Sequence, residues 1–448
     1  MARRFFAGLL LLAGLGIVLA SCGPATPWPS PTPTITPTPL STPTPTARPS
    51  STPTPYGAPS PSLAAALDTL ESQVRALRGL TKTAAVRRVV LPPEAYTQRR
   101  QQAFPTSAPP HITAWRALDL LPADADLAPQ VWNAPAERAL AFFDPASQTI
   151  FLTSPQGLTA PLRLAYVHAY ARALRFREHA LPPCGNDADQ CAALQALAEG
   201  DAAYTETLWL FAYASPDDLQ ALAESNAPLI ASPEALPLAV VKQQQFAAQW
   251  GFAFIYALSQ QNGWASIDAA FAHPPLATAQ ILHPESYPAA PPEAVPLPAA
   301  DALTNALGKG WQEDARGVCG EWLLYLMLTA SIHPDARLDG SDALNNTAGW
   351  RGGAWATFHG PAGQLAFLAD VHWAEGTDAT NFVRAFVRYA RGRYGPLAGR
   401  AYRVLYWESP HGAAVLRYSA TEKRTVWAFA PTRAAAEALL RAANAPHE

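Results

Sequence analysis

The chain has 448 residues and a formal net charge of −3, and only 15% of its residues are charged, against about 25% in ordinary globular proteins. No basic excess marks a nucleic-acid-binding surface, so nucleic acid is not expected as a partner. Beyond the N-terminal segment no run of 18 or more apolar residues occurs, so no further membrane-spanning helix is expected.

The chain opens Met1-Ala2-Arg3-Arg4 and continues through 5–20 without a charge. A basic start followed by a short apolar core is the pattern of a secretory signal. The run is shorter than the roughly 20 residues a spanning helix needs. It ends Leu19-Ala20-Ser21-Cys22-Gly23, which resembles the lipobox of bacterial lipoproteins. The resemblance implies cleavage before Cys22, a lipid on its thiol and residence on the outer, extracytoplasmic face of a cell membrane. The plainer alternative is an ordinary signal peptide or an uncleaved anchor. Each buried acyl CH₂ contributes about 0.8 kcal/mol, so several chains hold a protein stably where one does not. Segment 1–22 is therefore expected to be a signal with lipobox.

Residues 23–62 are almost all Pro, Thr, Ser and Ala. Such a stretch has no apolar face to bury and is expected to be a disordered stalk. Alternating proline favours polyproline II at about 3.1 Å per residue, a reach on the order of 100 Å.

The remainder is long enough for one large domain or two ordinary ones. Leu63, Leu67, Leu70, Val74 and Leu77 recur at helical spacing, with Gly79 as a stop. Residues 86–91 are a strand or a connector, and a helix is expected over 92–104. Two short strands flank the turn Asp144-Pro145-Ala146-Ser147. Long helices are expected over 161–179, with Pro161 suited to a first turn, then over 191–211 and 236–261. A Pro/Ala-rich linker at 288–299 separates a second unit. That unit has a helix over 321–330 and a glycine-tryptophan cluster at 349–355, read as a tight turn with core aromatics in preference to a surface that stacks a sugar or peptide. It continues with strands over 365–373, 403–408, 413–418 and 425–430, and helices over 378–391 and 432–443. The predicted class is α+β, mainly helical, with domains 63–295 and 296–448.

Six residues separate Cys184 from Cys191, and outside the cytoplasm a disulfide closing that turn is the simplest reading. Cys319 lies in an apolar stretch and reads as a buried small hydrophobe.

One constellation carries chemistry. Leu164-Ala165-Tyr166-Val167-His168-Ala169-Tyr170-Ala171-Arg172-Ala173-Leu174 is followed by Ala198-Glu199-Gly200-Asp201-Ala202. These segments, with the preceding strand turn at Phe143-Asp144-Pro145, resemble the gluzincin-type zinc metallopeptidases over roughly residues 85–290. In that family a helix carries HExxH and a glutamate on a following helix completes the ligand set. The resemblance implies a zincin-like domain over 63–295. Residues i and i+4 lie about 40° apart on a helix, so two histidines there pinch one ion. Carried over by position, His168 keeps the first ligand and Glu199 the third. Ala169 stands at the general base and cannot accept a proton. Arg172 stands at the second ligand, and its cation has no lone pair to give.

The expectation is a degenerate site without zinc or other cofactor, in which Arg172 fills the metal's place and pairs with Glu199. Asp201 either orients His168 or caps and solvates its own helix. The cleft formed by His168, Ala169, Arg172, Glu199 and Asp201 is then a binding surface for a polypeptide or envelope component, with no catalytic residue. The plainer reading makes His168 a helix histidine and Glu199 a surface acid. The rival functions are an active hydrolase with non-standard ligands and a purely structural envelope lipoprotein.

Overall fold

The computed structural model describes residues 57–80, 85–103, 112–122, 125, 140–154, 157–225, 236–289 and 291–444. Cys22 and most of the expected stalk lie outside them. The stalk gives way to structure before position 62. Gly57 exchanges backbone hydrogen bonds with Val90, at 3.1 and 2.7 Å. Ser60 then caps helix α1 (Pro61–Leu77), accepting from the Leu63 amide, with Pro61 in the first turn where its missing N–H costs nothing.

The fold is α+β and mainly helical. A three-stranded sheet is built from β1 (Arg87–Val90), β2 (Ala141–Asp144) and β3 (Thr149–Leu152), in the order β1-β3-β2. β1 runs parallel to β3, and β2 pairs with β3 as an antiparallel hairpin. Helix α2 (Pro93–Ala103) follows β1, and short α3 (Ile112–Ala117) packs its Trp115 inward. Under the sheet lies α4 (Ala160–Glu178). Leu67, Leu70 and Val74 of α1, Phe143, Ile150 and Leu152 of the strands, and Leu164 and Val167 of α4 form one core cluster.

Helix α5 (Ala188–Tyr213) is packed between α4 and α7 (Leu238–Asn262), with α6 (Pro216–Glu224) between α5 and α7 in sequence. Two glycines set the α5–α7 approach. A Cβ on Gly200 would stand 2.1 Å from the Gly251 carbonyl oxygen, and one on Gly251 would stand 2.1 Å from that of Ala196. Only glycine permits backbones that close. The Cys184–Cys191 disulfide, with Cα atoms 5.0 Å apart, ties the incoming loop to the first turn of α5. Helices α8 (Trp264–Ala272) and α9 (Thr278–Leu282) lead out of this half.

The rest contains α10 (Ala300–Leu307), β4 (Gln312–Val318), α11 (Glu321–Thr329), α12 (Gly340–Thr347), β5 (Trp350–His359), β6 (Leu365–Trp373), α13 (Gly376–Tyr394), β7 (Gly399–Ala401), β8 (Val404–Ser409), β9 (Gly412–Ser419), β10 (Arg424–Ala430) and α14 (Arg433–Ala443). The strands form a seven-stranded antiparallel sheet, β4-β5-β6-β10-β9-β8-β7. Side chains alternate between its faces. Phe367, Ala369, Val371, Trp427 and Phe429 face α13, whose Phe382 and Phe386 rings meet Trp427 at 5.2 and 5.8 Å. Ala366, Leu368, Val426 and Ala428 face α14 through Ala436, Leu439 and Leu440. Because both faces are covered, β6 and β10 read as nearly continuous apolar runs rather than alternating ones.

Three expectations change. The 349–355 cluster is not a turn: Trp350 begins β5, and its glycines are there for close packing. A Cβ on Gly352 would lie 2.3 Å from the Glu293 carbonyl oxygen, and one on Gly353 would lie 2.6 Å from that of Cys319. The stretch expected as a linker is a strap laid on β5, with the Glu293 amide donating to the Arg351 carbonyl at 2.6 Å. The boundary expected near 295 also falls inside one compact unit. A single core cluster joins Trp115, Leu197 and Phe254 to Trp322, Phe367 and Phe429.

Candidate functional site

Thr159 caps α4 and Pro161 occupies its first turn. Most of the helix from Leu162 to Arg175 is buried, as expected for a helix wrapped by others rather than lying on a surface. His168 and Arg172, four residues apart, share one face, and that face meets α5. His168 Nε2 lies 3.0 Å from Glu199 Oε2 and Nδ1 lies 3.2 Å from Glu206 Oε2. The Arg172 guanidinium sits against Glu199 Oε1. Glu199 is thus shared by two partners, while only 1% of its side-chain surface is exposed. Ala169 is fully buried and packs with the sheet-side core.

Glu206 was not anticipated, although its spacing held a clue. It follows Glu199 by seven residues, two turns, and so returns to the same face of α5 within about 20°.

Asp201 corrects the expectation set for it. It neither orients His168 nor solvates its helix. Its carboxylate receives Arg78 at 3.0 and 3.3 Å and Arg175 at 3.1 and 3.4 Å. Two residues along a helix is a rotation of about 200°, which points Asp201 away from Glu199. Arg175 also reaches Asp268 at 2.6 Å. The two guanidinium groups lie over Trp264 at 4.6 Å and over Phe271 at 4.3 Å. Burial alone would raise the Asp201 pKa, but Arg78 and Arg175 outweigh it and hold the carboxyl below the ordinary range.

These residues do not fit a zinc ion. The second ligand position holds a cation, the base position a methyl group, and His168 and Glu199 are in direct hydrogen-bond contact. Among the described residues no group of three or more His, Cys, Asp or Glu side chains is placed to hold a metal. His179 caps the far end of continuous α4, eleven positions or about 16 Å from His168. Of the other histidines, His283 meets Glu321, His333 meets Asp119 and His359 meets Asp314. Cys319 is buried, as its apolar neighbours indicated, and burial raises its thiol pKa.

Residues 304–440 match a family model described as "Domain of unknown function (DUF8575)". The match takes in less than a third of the chain, from α10 to α14, and does not include α4 or α5. No curated protein and no solved structure matches the chain. No helix among the described residues is long and apolar enough to cross a membrane.

Proposed function

We propose that this chain is a lipid-anchored extracytoplasmic protein whose α4–α5 site is a zinc-peptidase-like site converted to non-catalytic use. In this reading it binds a polypeptide or a component of the envelope. One observation carries it: the Arg172 guanidinium lies against Glu199 beside His168, a fixed cation at the position where the resembled family holds its ion. The site keeps its charge balance without a metal, and no base stands at position 169. The anchor rests on Cys22 at the end of the signal-like segment.

Metal analysis of the purified chain tests the first half. We expect no zinc above background, and one equivalent bound through His168 and Glu199 would overturn the reading. Arg172→His re-creates a His-His-Glu set while leaving buried Ala169 undisturbed, and should take up about one zinc per chain. Adding Ala169→Glu then asks whether casein cleavage, inhibited by a chelator, returns. Cys22→Ala should move the protein from the membrane fraction to the soluble one.

A further inference from the structure

We propose that the outer face of α13 and the β7–β8 hairpin beside it form a docking surface for an anionic lipid bilayer. The surface is separate from the α4–α5 site. It depends neither on how that site is read nor on a lipid at Cys22.

Residues 384–403 hold six arginines and no acid, in a chain whose net charge is −3. Packing divides the six. Arg393 turns inward, to Asp119 at 2.7 Å and over the Phe429 ring at 4.6 Å. Arg384, Arg388 and Arg391 are exposed. Their spacing of four and three residues puts them within about 60° of one another, along about 10 Å of helix. That stripe faces away from the sheet, because Phe382, Phe386 and Tyr389 take the opposite side of α13 into the core. Arg400 of β7 is also exposed, and it pairs with Leu405 of β8. Residues paired across an antiparallel ladder share a face. Leu405 belongs to the core that α13 covers, so Arg400 projects on α13's side of the sheet. Arg384, Arg391 and Arg400 make no ion pair among the described residues.

Acids stand beside the stripe without balancing it. Asp335, Asp339 and Asp342 lie on the segment packed along α13, with Arg337 among them. Asp342 takes Arg388 at 2.7 Å, and Asp339 caps α12, accepting from the Ser341 amide. Arg337 and the five arginines other than Arg393 thus face three aspartates. Glu408 is exposed at the far end of β8 from the hairpin turn.

The hairpin adds an apolar part. Tyr402 forms its turn and is 84% exposed, and Leu397, leading into β7, is 43% exposed. Tyr402 has φ +52°, a left-handed conformation that glycine or asparagine adopts more readily. Arg403 lies over its ring at 5.3 Å, but no core covers it. Local turn geometry therefore does not account for a tyrosine here. An aromatic ring with a polar tip suits the headgroup level of a bilayer, and arginines beside it suit lipid phosphates. A soluble polyanion needs the arginines alone.

The test uses the full chain carrying Cys22→Ala and Ala398→Cys, labelled at position 398 with an environment-sensitive nitrobenzoxadiazole dye. Cys319 is buried and Cys184 is bonded to Cys191, so the introduced thiol is the one that reacts. The dye reads contact of this face and not attachment through the N-terminal segment. Vesicles of equimolar phosphatidylglycerol and phosphatidylcholine should brighten its emission and shift it to the blue. Vesicles of phosphatidylcholine alone should not. Each arginine near an anionic surface is worth about fivefold in partition, so Arg384→Gln, Arg391→Gln and Arg400→Gln together should weaken contact on the order of a hundredfold. Leu397→Ser with Tyr402→Ser should weaken it about tenfold. All five positions are exposed or at a turn, so the fold should stand in both variants. The same dye at Leu219→Cys, on exposed α6, should not respond. No shift on the anionic vesicles, an equal shift at Leu219→Cys, or contact unchanged in either variant overturns the proposal. An equal response to soluble poly-glutamate without vesicles overturns it as well and assigns the face to acidic polypeptides.

Discussion

Glu199 and Asp201 sit two positions apart on α5, and the half-turn between them separates two jobs. Glu199 serves the face shared with His168 and Arg172, while Asp201 neutralises two buried arginines. Removing Asp201 strands Arg78 and leaves Arg175 to the half-exposed Asp268, so Asp201→Ala should cost about 3–5 kcal/mol of stability. Arg172→Ala should cost less, about 3 kcal/mol at most, because Arg172 is partly exposed and His168 still reaches Glu199. Chemical denaturation of the two variants checks the order. Asp189 supplies a pH dependence. It accepts from the Thr278 amide at 2.9 Å and hydroxyl at 2.5 Å, yet burial, the first cause, pushes its pKa up from 3.8 to about 7. A raised folded-state pKa means the native state holds the proton more tightly. Its contribution to stability is full below about pH 3.8 and is lost as pH rises through about 7. Asp189→Asn should flatten that part of the stability–pH curve and leave the variant the more stable form above pH 7. At this scale the sequence was partly legible. The i, i+4 pair at 168 and 172 could be placed on one face, and Cys184 and Cys191 could be paired. The partners of Asp201 could not, because Arg78 lies 123 residues away in sequence.

Elements were legible where the chain repeats a period over several turns or alternations. The leucines of α1, the long α4, α5 and α7, and the paired strands β2–β3 and β8–β9 all stand close to where patterning put them. Short α3, α6, α10 and α12 went unread, since six to nine residues give too few turns for a period to show. β4 was missed for another reason. Its sequence, Gln-Glu-Asp-Ala-Arg-Gly-Val, is polar because it is an edge strand with only β5 beside it, and charge on an edge deters pairing with other chains. The glycines at 352 and 353 misled because their cause is a distant chain segment rather than a local turn. The same physics makes Gly200 a test position. Gly200→Ala drives a methyl group into the Gly251 carbonyl, where backbone must yield, and should cost about 1–3 kcal/mol or more. Thermal melting would show it, and a loss near zero would mean that α5 and α7 slide apart without cost.

For the whole molecule, the chain's own composition suggested two domains and the packing makes one. The proline-rich strap at 291–299 resembles a linker in composition, but it covers β5, and the main core lies partly on either side of it. Calorimetry of the full chain should therefore show a single cooperative unfolding transition for the described unit. A fragment ending at 295 would leave the faces of Trp115, Leu197 and Phe254 without Trp322 and Phe367. It should bind hydrophobic dyes and melt without cooperativity, whereas a sharp independent transition would restore the two-domain view.

The close seating of α5 also has a consequence in time. Its middle, from Leu197 to Ala202, is held by α4 on one side and by Gly251 on another, with the Asp201 ion pairs beneath it. No local fluctuation can free those amides without parting two helices and exposing two arginines. Their exchange with deuterated water should then proceed only through global unfolding, making them the slowest clock in the molecule. Measured against the faster amides of exposed α6, they would report the lifetime of the whole folded state.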